Sequence, residues 1–232
     1  MKVSAVIPAY NEAKTIAPVV GEVKGKVNQV IVVDDGSTDQ TGHLAQAAGA
    51  EVITHFLNRG QGAALQTGIN FALNSGADLI VTFDADGQHD AQDISRITEP
   101  LLLGQVDVVL GSRFLNLQPK TYNLKPNNIP WFRVLVLKTA TFFTRLYTGL
   151  KITDTHNGLR AFSRLAVQKI EIKHDGMAHA SEIIEQIKKH QLKFKEVPVN
   201  INYTAYSLEK GQKLTNSFRI IWDLIIGKIS SK

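Results

Sequence analysis

Five short runs rich in β-branched residues recur through the first half of the chain, and stretches of helical periodicity separate them. No other feature narrows the fold as much. The runs are Val3–Ile7, Val30–Val33, Glu51–Thr54, Leu79–Phe83 and Val106–Leu110, each bounded by turn residues. Helices are expected over Glu12–Val23, Asp39–Ala48, Gly62–Asn74 and Ala91–Leu103. Strands that alternate with crossover helices build a mostly parallel, twisted sheet with helices on both faces. The expected class is therefore α/β and Rossmann-like. No internal repeat or linker interrupts the 232 residues, a length that suits one domain over 1–232.

The second half has a different texture. Gln118 to Pro130 carries three of the seven prolines and several Asn, and reads as a loop. Segments 131–150 and 214–229 are rich in Phe, Leu, Ile and Trp with Arg and Lys interleaved. Such amphipathic helices either lie in a membrane interface or cover the sheet or a dimer contact. Charge divides along the same line. Residues 1–110 hold 6 Lys+Arg against 13 Asp+Glu, whereas residues 111–232 hold 20 against 8. An acidic half suited to a cation is followed by a basic half suited to an anionic partner. The chain has no cysteine, which excludes disulfides, thiolate zinc sites and a cysteine nucleophile. No apolar run reaches the length of a membrane span. Met1-Lys2 leads straight into a strand, so no signal peptide is expected.

Four polar clusters fall at the carboxyl ends of expected strands. They are Pro8-Ala9-Tyr10-Asn11-Glu12, Asp34-Asp35-Gly36-Ser37, Asp84-Ala85-Asp86-Gly87-Gln88-His89 and Gly111-Ser112-Arg113. In open α/β sheets ligands bind at that edge, near the switch in strand order, so four clusters there argue for a site. Asp84 and Asp86 end a buried strand one residue apart, and hard divalent cations are held by such oxygens. A Mg²⁺ or Mn²⁺ there can grip a diphosphate; the alternative is a helix cap with an acidic first turn. His89 is read as structural, because hard cations prefer oxygen. Asp35 can accept from a base N–H, Tyr10 offers a ring to the base, and Glu12 can accept from ribose or base donors. Asp34 and Asp35 also suit a turn. Gly60-Gln61-Gly62 reads either as a tight turn or as a close backbone approach to a ligand. Arg113 suits a phosphate of donor or acceptor. Asp154, His156 and Arg160 form a further polar block able to orient an acceptor.

With these motifs in this order, the chain resembles the family 2 glycosyltransferases of GT-A fold. More narrowly, it is similar to the dolichyl-phosphate mannose synthase and polyprenyl-phosphate glycosyltransferase branch. Gly111-Ser112-Arg113, Asp154–Phe162 and Glu196-Val197-Pro198-Val199 before a final strand resemble that branch's later motifs. Tyr203-Thr204-Ala205-Tyr206-Ser207 ahead of Lys210 and Lys213 departs from it, and the Gln-x-x-Arg-Trp of processive synthases is absent. The resemblance implies that Pro8, Ala9, Tyr10, Glu12 and Asp35 hold the nucleoside. It implies that Asp84, Asp86 and Gln88 surround the metal, with Asp86 the direct ligand and Asp84 nearer the ribose. Arg113 meets phosphate, and Asp154 serves as an acid/base or positions the acceptor. Residues 1–113 then form a nucleotide-sugar half, and residues 114–232 an acceptor half.

The expected activity is inverting, metal-dependent sugar transfer from a nucleotide sugar to a polyprenyl (dolichyl or undecaprenyl) phosphate. The expected location is cytoplasmic, peripheral at the cytoplasmic face of a membrane. The alternative is a soluble glycosyltransferase with a hydroxyl acceptor, for which Asp154 or Glu182 is the first base to consider. A nucleotidyltransferase calls for a glycine-rich loop after the first strand, which Pro8–Glu12 lacks. Nucleic-acid binding is disfavoured because the aromatic residues sit inside apolar runs rather than spaced as stacking platforms.

Overall fold

The structure, a computed structural model, describes residues 1–115 and 131–202. The expected loop at 118–130, the 203–213 stretch and the amphipathic segment 214–229 lie outside the described residues. In chain order the elements are β1 (Val3–Ala9), α1 (Ile16–Lys24), β2 (Gln29–Asp34), α2 (Thr41–Ala47), β3 (Glu51–Thr54), α3 (Gln61–Asn74) and β4 (Leu79–Thr82). There follow α4 (Asp93–Leu102), β5 (Val108–Ser112), α5 (Trp131–Thr148), β6 (Arg160–Ser163), α6 (Arg164–Val167), α7 (His179–Lys189) and β7 (Phe194–Pro198).

One sheet has the strand order β3-β2-β1-β4-β6-β5-β7. The β1–β2, β1–β4, β2–β3 and β5–β7 pairs are parallel, and β6 runs antiparallel to both β4 and β5. Alternate strand residues enter two separate cores, as a pleated strand buried on both faces requires. Ile7, Val32 and Val81 pack with Ile16, Val20 and Val23 of α1 and with Ile94 and Ile97 of α4. Val6, Ile31, Val33 and Ile80 pack instead with Leu65 and Ile69 of α3 and Ile183 and Ile187 of α7. The expected α/β class with both faces covered is the observed one.

Between the runs at Leu79–Phe83 and Val106–Leu110, β6 is inserted in the opposite direction. Three expectations are corrected. Arg160-Ala161-Phe162-Ser163 reads in sequence as the tail of a polar block, yet it is a strand, and Arg160 is buried. Glu196-Val197-Pro198 lies inside the last described strand rather than before one. The first helix starts at Ile16 rather than Glu12, because residues 10–15 form a loop bound to the end of β2.

Helix α5 covers the expected amphipathic segment at 131–150 with an inverted pattern. Its buried positions are small or hydroxylated, namely Ala140, Thr141, Thr144 and Thr148. The Thr144 and Thr148 hydroxyls donate to the carbonyls of Ala140 and Thr144, at 3.0 and 2.7 Å. Leu135, Phe142 and Leu146 point outward, 61%, 61% and 72% exposed. Among the described residues no helix is long and apolar enough to cross a membrane.

Candidate active site

From β1 the chain passes to β2 and β3 on one side, while β4 lies on the other. The crevice at the carboxyl ends of β1 and β4 is therefore the switch point. Pro8 and Ala9 end β1 in register with Val33 and Asp34, and the Tyr10 ring emerges there, 42% exposed. Asn11 takes a left-handed φ of 53°, which asparagine tolerates better than most residues. Its side-chain oxygen accepts from Thr38 N at 2.8 Å, and its N–H donates to Ser37 Oγ at 2.9 Å. Glu12 N donates to Thr41 Oγ1 at 2.7 Å, and Thr15 Oγ1 donates to Glu12 Oε2 at 2.9 Å. These bonds stitch the β1 and β2 ends together.

The two aspartates after β2 have different tasks. Asp34 Oδ1 accepts from Ser37 N at 3.0 Å, the turn read from the sequence. Asp35 Oδ1 accepts from His55 Nδ1 at 2.7 Å and Arg59 N at 3.0 Å, and Oδ2 from Gly60 N at 2.7 Å. A carboxylate has about four acceptor positions, and three donors occupy those of Asp35. The close approach expected at Gly60 and Gly62 is made by the chain itself. A Cβ at Gly62 would lie 2.0 Å from the His174 carbonyl oxygen.

Asp84 and Asp86 follow β4. Asp84 Oδ1 accepts from Gln61 Nε2 at 3.1 Å and Oδ2 from His89 Nε2 at 3.0 Å. Burial pulls the Asp84 carboxyl up, but the hydrogen bond and charge of His89, with His179 and Arg160 beyond, outweigh it and hold it low. For Asp86 the Gln88 N–H and the charge of His89 are outweighed: burial, then the charge of Asp84, push its carboxyl up to about 6. Its Oδ1 accepts from Gln88 N at 3.0 Å. His89 is taken up by Asp84, as the structural reading expected. The strand-like segment after β7 clamps this loop: Asn202 N donates to Gln88 O at 2.8 Å, and Ile201 bridges His89. Among the described residues no three His, Asp or Glu side chains form a metal cage. Two mutually repelling carboxylates nevertheless suit a hard cation, which would relieve their repulsion.

Arg113 and Asp154 form a bidentate pair, with Nε to Oδ2 at 2.7 Å and Nη2 to Oδ1 at 2.8 Å. Arg113 N and His156 N also donate to Asp154, at 3.1 and 3.2 Å. Four donors fill the carboxylate. Burial alone would raise the Asp154 carboxyl; the Arg113 guanidinium outweighs it and holds it below the usual range. Glu196 accepts from Thr153 N at 2.7 Å and Asp154 N at 3.2 Å, so β7 orients the backbone of this aspartate. Arg113 and, from α5, Lys138 both stand 5.9 Å from the Phe114 ring centre. Arg160 is held by the carbonyls of Asn157 and Thr155 at 3.0 and 2.9 Å, and burial lowers it to about 10, still charged at neutral pH. Glu182, considered above as a base, instead accepts from the backbone N–H groups of Lys173 and His174.

The sheet with its switch-point carboxylates is that of a GT-A glycosyltransferase. The sequence matches the family model Glycosyl transferase family 2 over residues 4–171, and the chain belongs to that family. It is 34% identical to UDP-N-acetylglucosamine–dolichyl-phosphate N-acetylglucosaminyltransferase of Methanococcus voltae, covering 97% of this chain and 95% of that one. It is 35% identical to polyprenol monophosphomannose synthase of Mycolicibacterium smegmatis, covering 72% and 63%. Glucosyl-3-phosphoglycerate synthase of Mycobacterium tuberculosis, solved with Mn²⁺, UDP and glucosyl-3-phosphoglycerate, superposes with a TM-score of 0.72. That match has 21% identity over 97% of this chain and 78% of that one, a likeness of fold.

The structure adds residues that local sequence did not single out. Gln61 reaches Asp84 from the helix start that the glycine pair marks, and its place at the binding edge was the available signal. His179, the first residue of α7, has no sequence signal at all. It is buried, with Nδ1 donating to Gly176 O at 2.9 Å. Burial holds its imidazole down at about 4, against 6.5 for a free ring. Between those values the unfolded chain takes up a proton that the native state refuses. His179 therefore contributes stability that is complete above pH 6.5 and is lost as pH falls towards about 4. Asp86, raised to about 6, acts in the opposite sense, so the test is a comparison. His179→Gln should lose less stability than wild type between about pH 7 and about pH 4.5, read from urea midpoints. Equal losses would contradict this assignment.

Proposed function

We propose that this glycosyltransferase moves a sugar, with inversion, from a nucleoside-diphosphate sugar to a polyprenyl phosphate at a membrane surface. The observation that carries the reading is the pairing of Asp84–Asp86 at the switch point with the Arg113–Asp154 ion pair at the end of β5. Within one domain, residues 1–113 hold the donor and 114–232 the acceptor. Pro8, Ala9 and Tyr10 face the nucleoside, Glu12 and the remaining acceptor of Asp35 take its N–H and O–H donors, and Asp84 lies towards the ribose. Asp86 is the direct ligand of Mg²⁺ or Mn²⁺, with Asp84 and Gln88 beside it. A cation bound there supplies charge neutralisation to the departing diphosphate.

Asp154 acts by positioning rather than by proton transfer. Its four acceptor positions are occupied and its proton affinity is low, both of which disqualify a general base. Its contribution is to aim the Arg113 guanidinium at an acceptor phosphate. Glu182 is likewise engaged. A hydroxyl acceptor would need a base that neither supplies, whereas a phosphate monoester oxygen is already anionic. The names of the relatives from Methanococcus and Mycolicibacterium point the same way.

Helix α5 supports the membrane surface. Leu135, Phe142 and Leu146 are exposed and share their helix face with Lys138 and Arg145, a pattern suited to anionic lipid. Lys138 shares the Phe114 ring with Arg113, so the lipid-facing helix meets the phosphate-facing arginine. The protein then sits at the cytoplasmic face, peripheral to the bilayer.

Two measurements test this reading. A panel of nucleotide sugars with Mg²⁺ or Mn²⁺ should release nucleoside diphosphate faster when a polyprenyl phosphate is added. Asp86→Ala should then lower turnover by about 10²–10³-fold, the scale for removing one charge-stabilising group; undiminished metal-dependent turnover would remove Asp86 from its role. Separately, the protein should float with anionic liposomes, and Phe142→Glu combined with Leu146→Glu should leave it at the bottom. A wild-type protein that stays at the bottom would favour a soluble hydroxyl acceptor.

A further inference from the structure

Gly158 lies in the turn between Asp154 and β6, and Thr82 Oγ1 holds its carbonyl at 2.7 Å. Its φ is outside the left-handed region, so the backbone conformation itself would accept a side chain. Space is the obstacle. A Cβ there would lie 2.1 Å from Asp84 Oδ2, 2.4 Å from Oδ1 and 2.5 Å from Cγ. The three nearest obstructing atoms all belong to one carboxylate.

We infer that Gly158 is a positioning residue whose bare backbone forms the wall against which the Asp84 carboxylate is seated. The inference rests on the proposed role of Asp84 at the donor site, and deepens it. Gln61 holds Oδ1 and His89 holds Oδ2, and Gly158 closes the remaining side. A methyl group at 158 would displace the carboxylate from both donors and from its place beside Asp86. The same turn begins with Asp154, the partner of Arg113. One short segment therefore sets the donor-side carboxylate at one end and the acceptor-side guanidinium at the other. It links the two halves of the site without touching either substrate through a side chain of its own at 158.

The test is a double-mutant cycle of Gly158→Ala with Asp84→Ala. Mn²⁺ affinity is read by electron paramagnetic resonance in the presence of UDP or GDP, whichever wild type binds more tightly, and stability by urea unfolding. Gly158→Ala should weaken Mn²⁺ binding about 10–100-fold, the usual effect of disturbing a group that orients a ligand. It should lower the urea midpoint in the wild-type background and leave it unchanged in the Asp84→Ala background, where the obstructing carboxylate is gone. If Gly158→Ala alone does not fold, recovery of folding in the double variant supports the inference equally. Mn²⁺ affinity within twofold of wild type, or equal destabilisation in both backgrounds, overturns it. Should wild type bind no nucleotide with Mn²⁺, the donor-site reading fails, while the unfolding cycle still decides whether Gly158 seats Asp84.

Discussion

Two negative side chains held together at the end of β4 are the constraint around which the remainder of this site is arranged. Left alone, Asp84 and Asp86 repel each other, and the protein relieves only one of them. Asp84 has His89, Gln61 and the more distant charge of Arg160. Asp86 has a single backbone N–H and keeps a carboxyl raised to about 6. The asymmetry leaves Asp86 as the carboxylate still wanting positive charge.

Holding charges in that arrangement takes support from distant parts of the chain. Gln61 comes from the start of α3, Gly158 from the turn before β6, and residues 200–202 from beyond β7. Around Arg113 the chain is equally long-range. Arg113 follows β5, its partner Asp154 comes 41 residues later, and Glu196 in β7 orients the Asp154 backbone. These buried ions are each paired or hydrogen-bonded, as burial demands. What the two sides share is the turn from Asp154 to Arg160, which reaches both.

The first five strands were legible because β-branched runs bounded by turn residues leave a local signature even where, as in β3, they are only half-buried, and the Asp84–Asp86 junction was legible because it ends one of them. Strand β6 was not. It is only four residues long and opens with Arg160, whose burial is met by the carbonyls of Thr155 and Asn157 and becomes favourable only once β4 and β5 flank it. Residue type marked Asp154 as important, but its neighbourhood in sequence says nothing of the Arg113 fork that occupies it. Of the two parts read for Asp154, acid/base or positioning, that fork favours positioning. Helix α5 was visible as amphipathic, yet periodicity does not say which face turns inward. The structure buries the threonines and leaves the large apolar residues outside. His179 and Gly158 act only through neighbours brought close by the fold.

The central claim is that these paired carboxylates seat a divalent cation against a nucleoside diphosphate. The most direct measurement is anomalous diffraction from crystals grown with Mn²⁺ and a nucleoside diphosphate. The account predicts one strong manganese peak in coordination contact with the Asp86 carboxylate and with diphosphate oxygens, and Asp84 still bound to His89 and Gln61. A nucleotide bound at this edge with no manganese at Asp86, or with the metal held elsewhere, would contradict it.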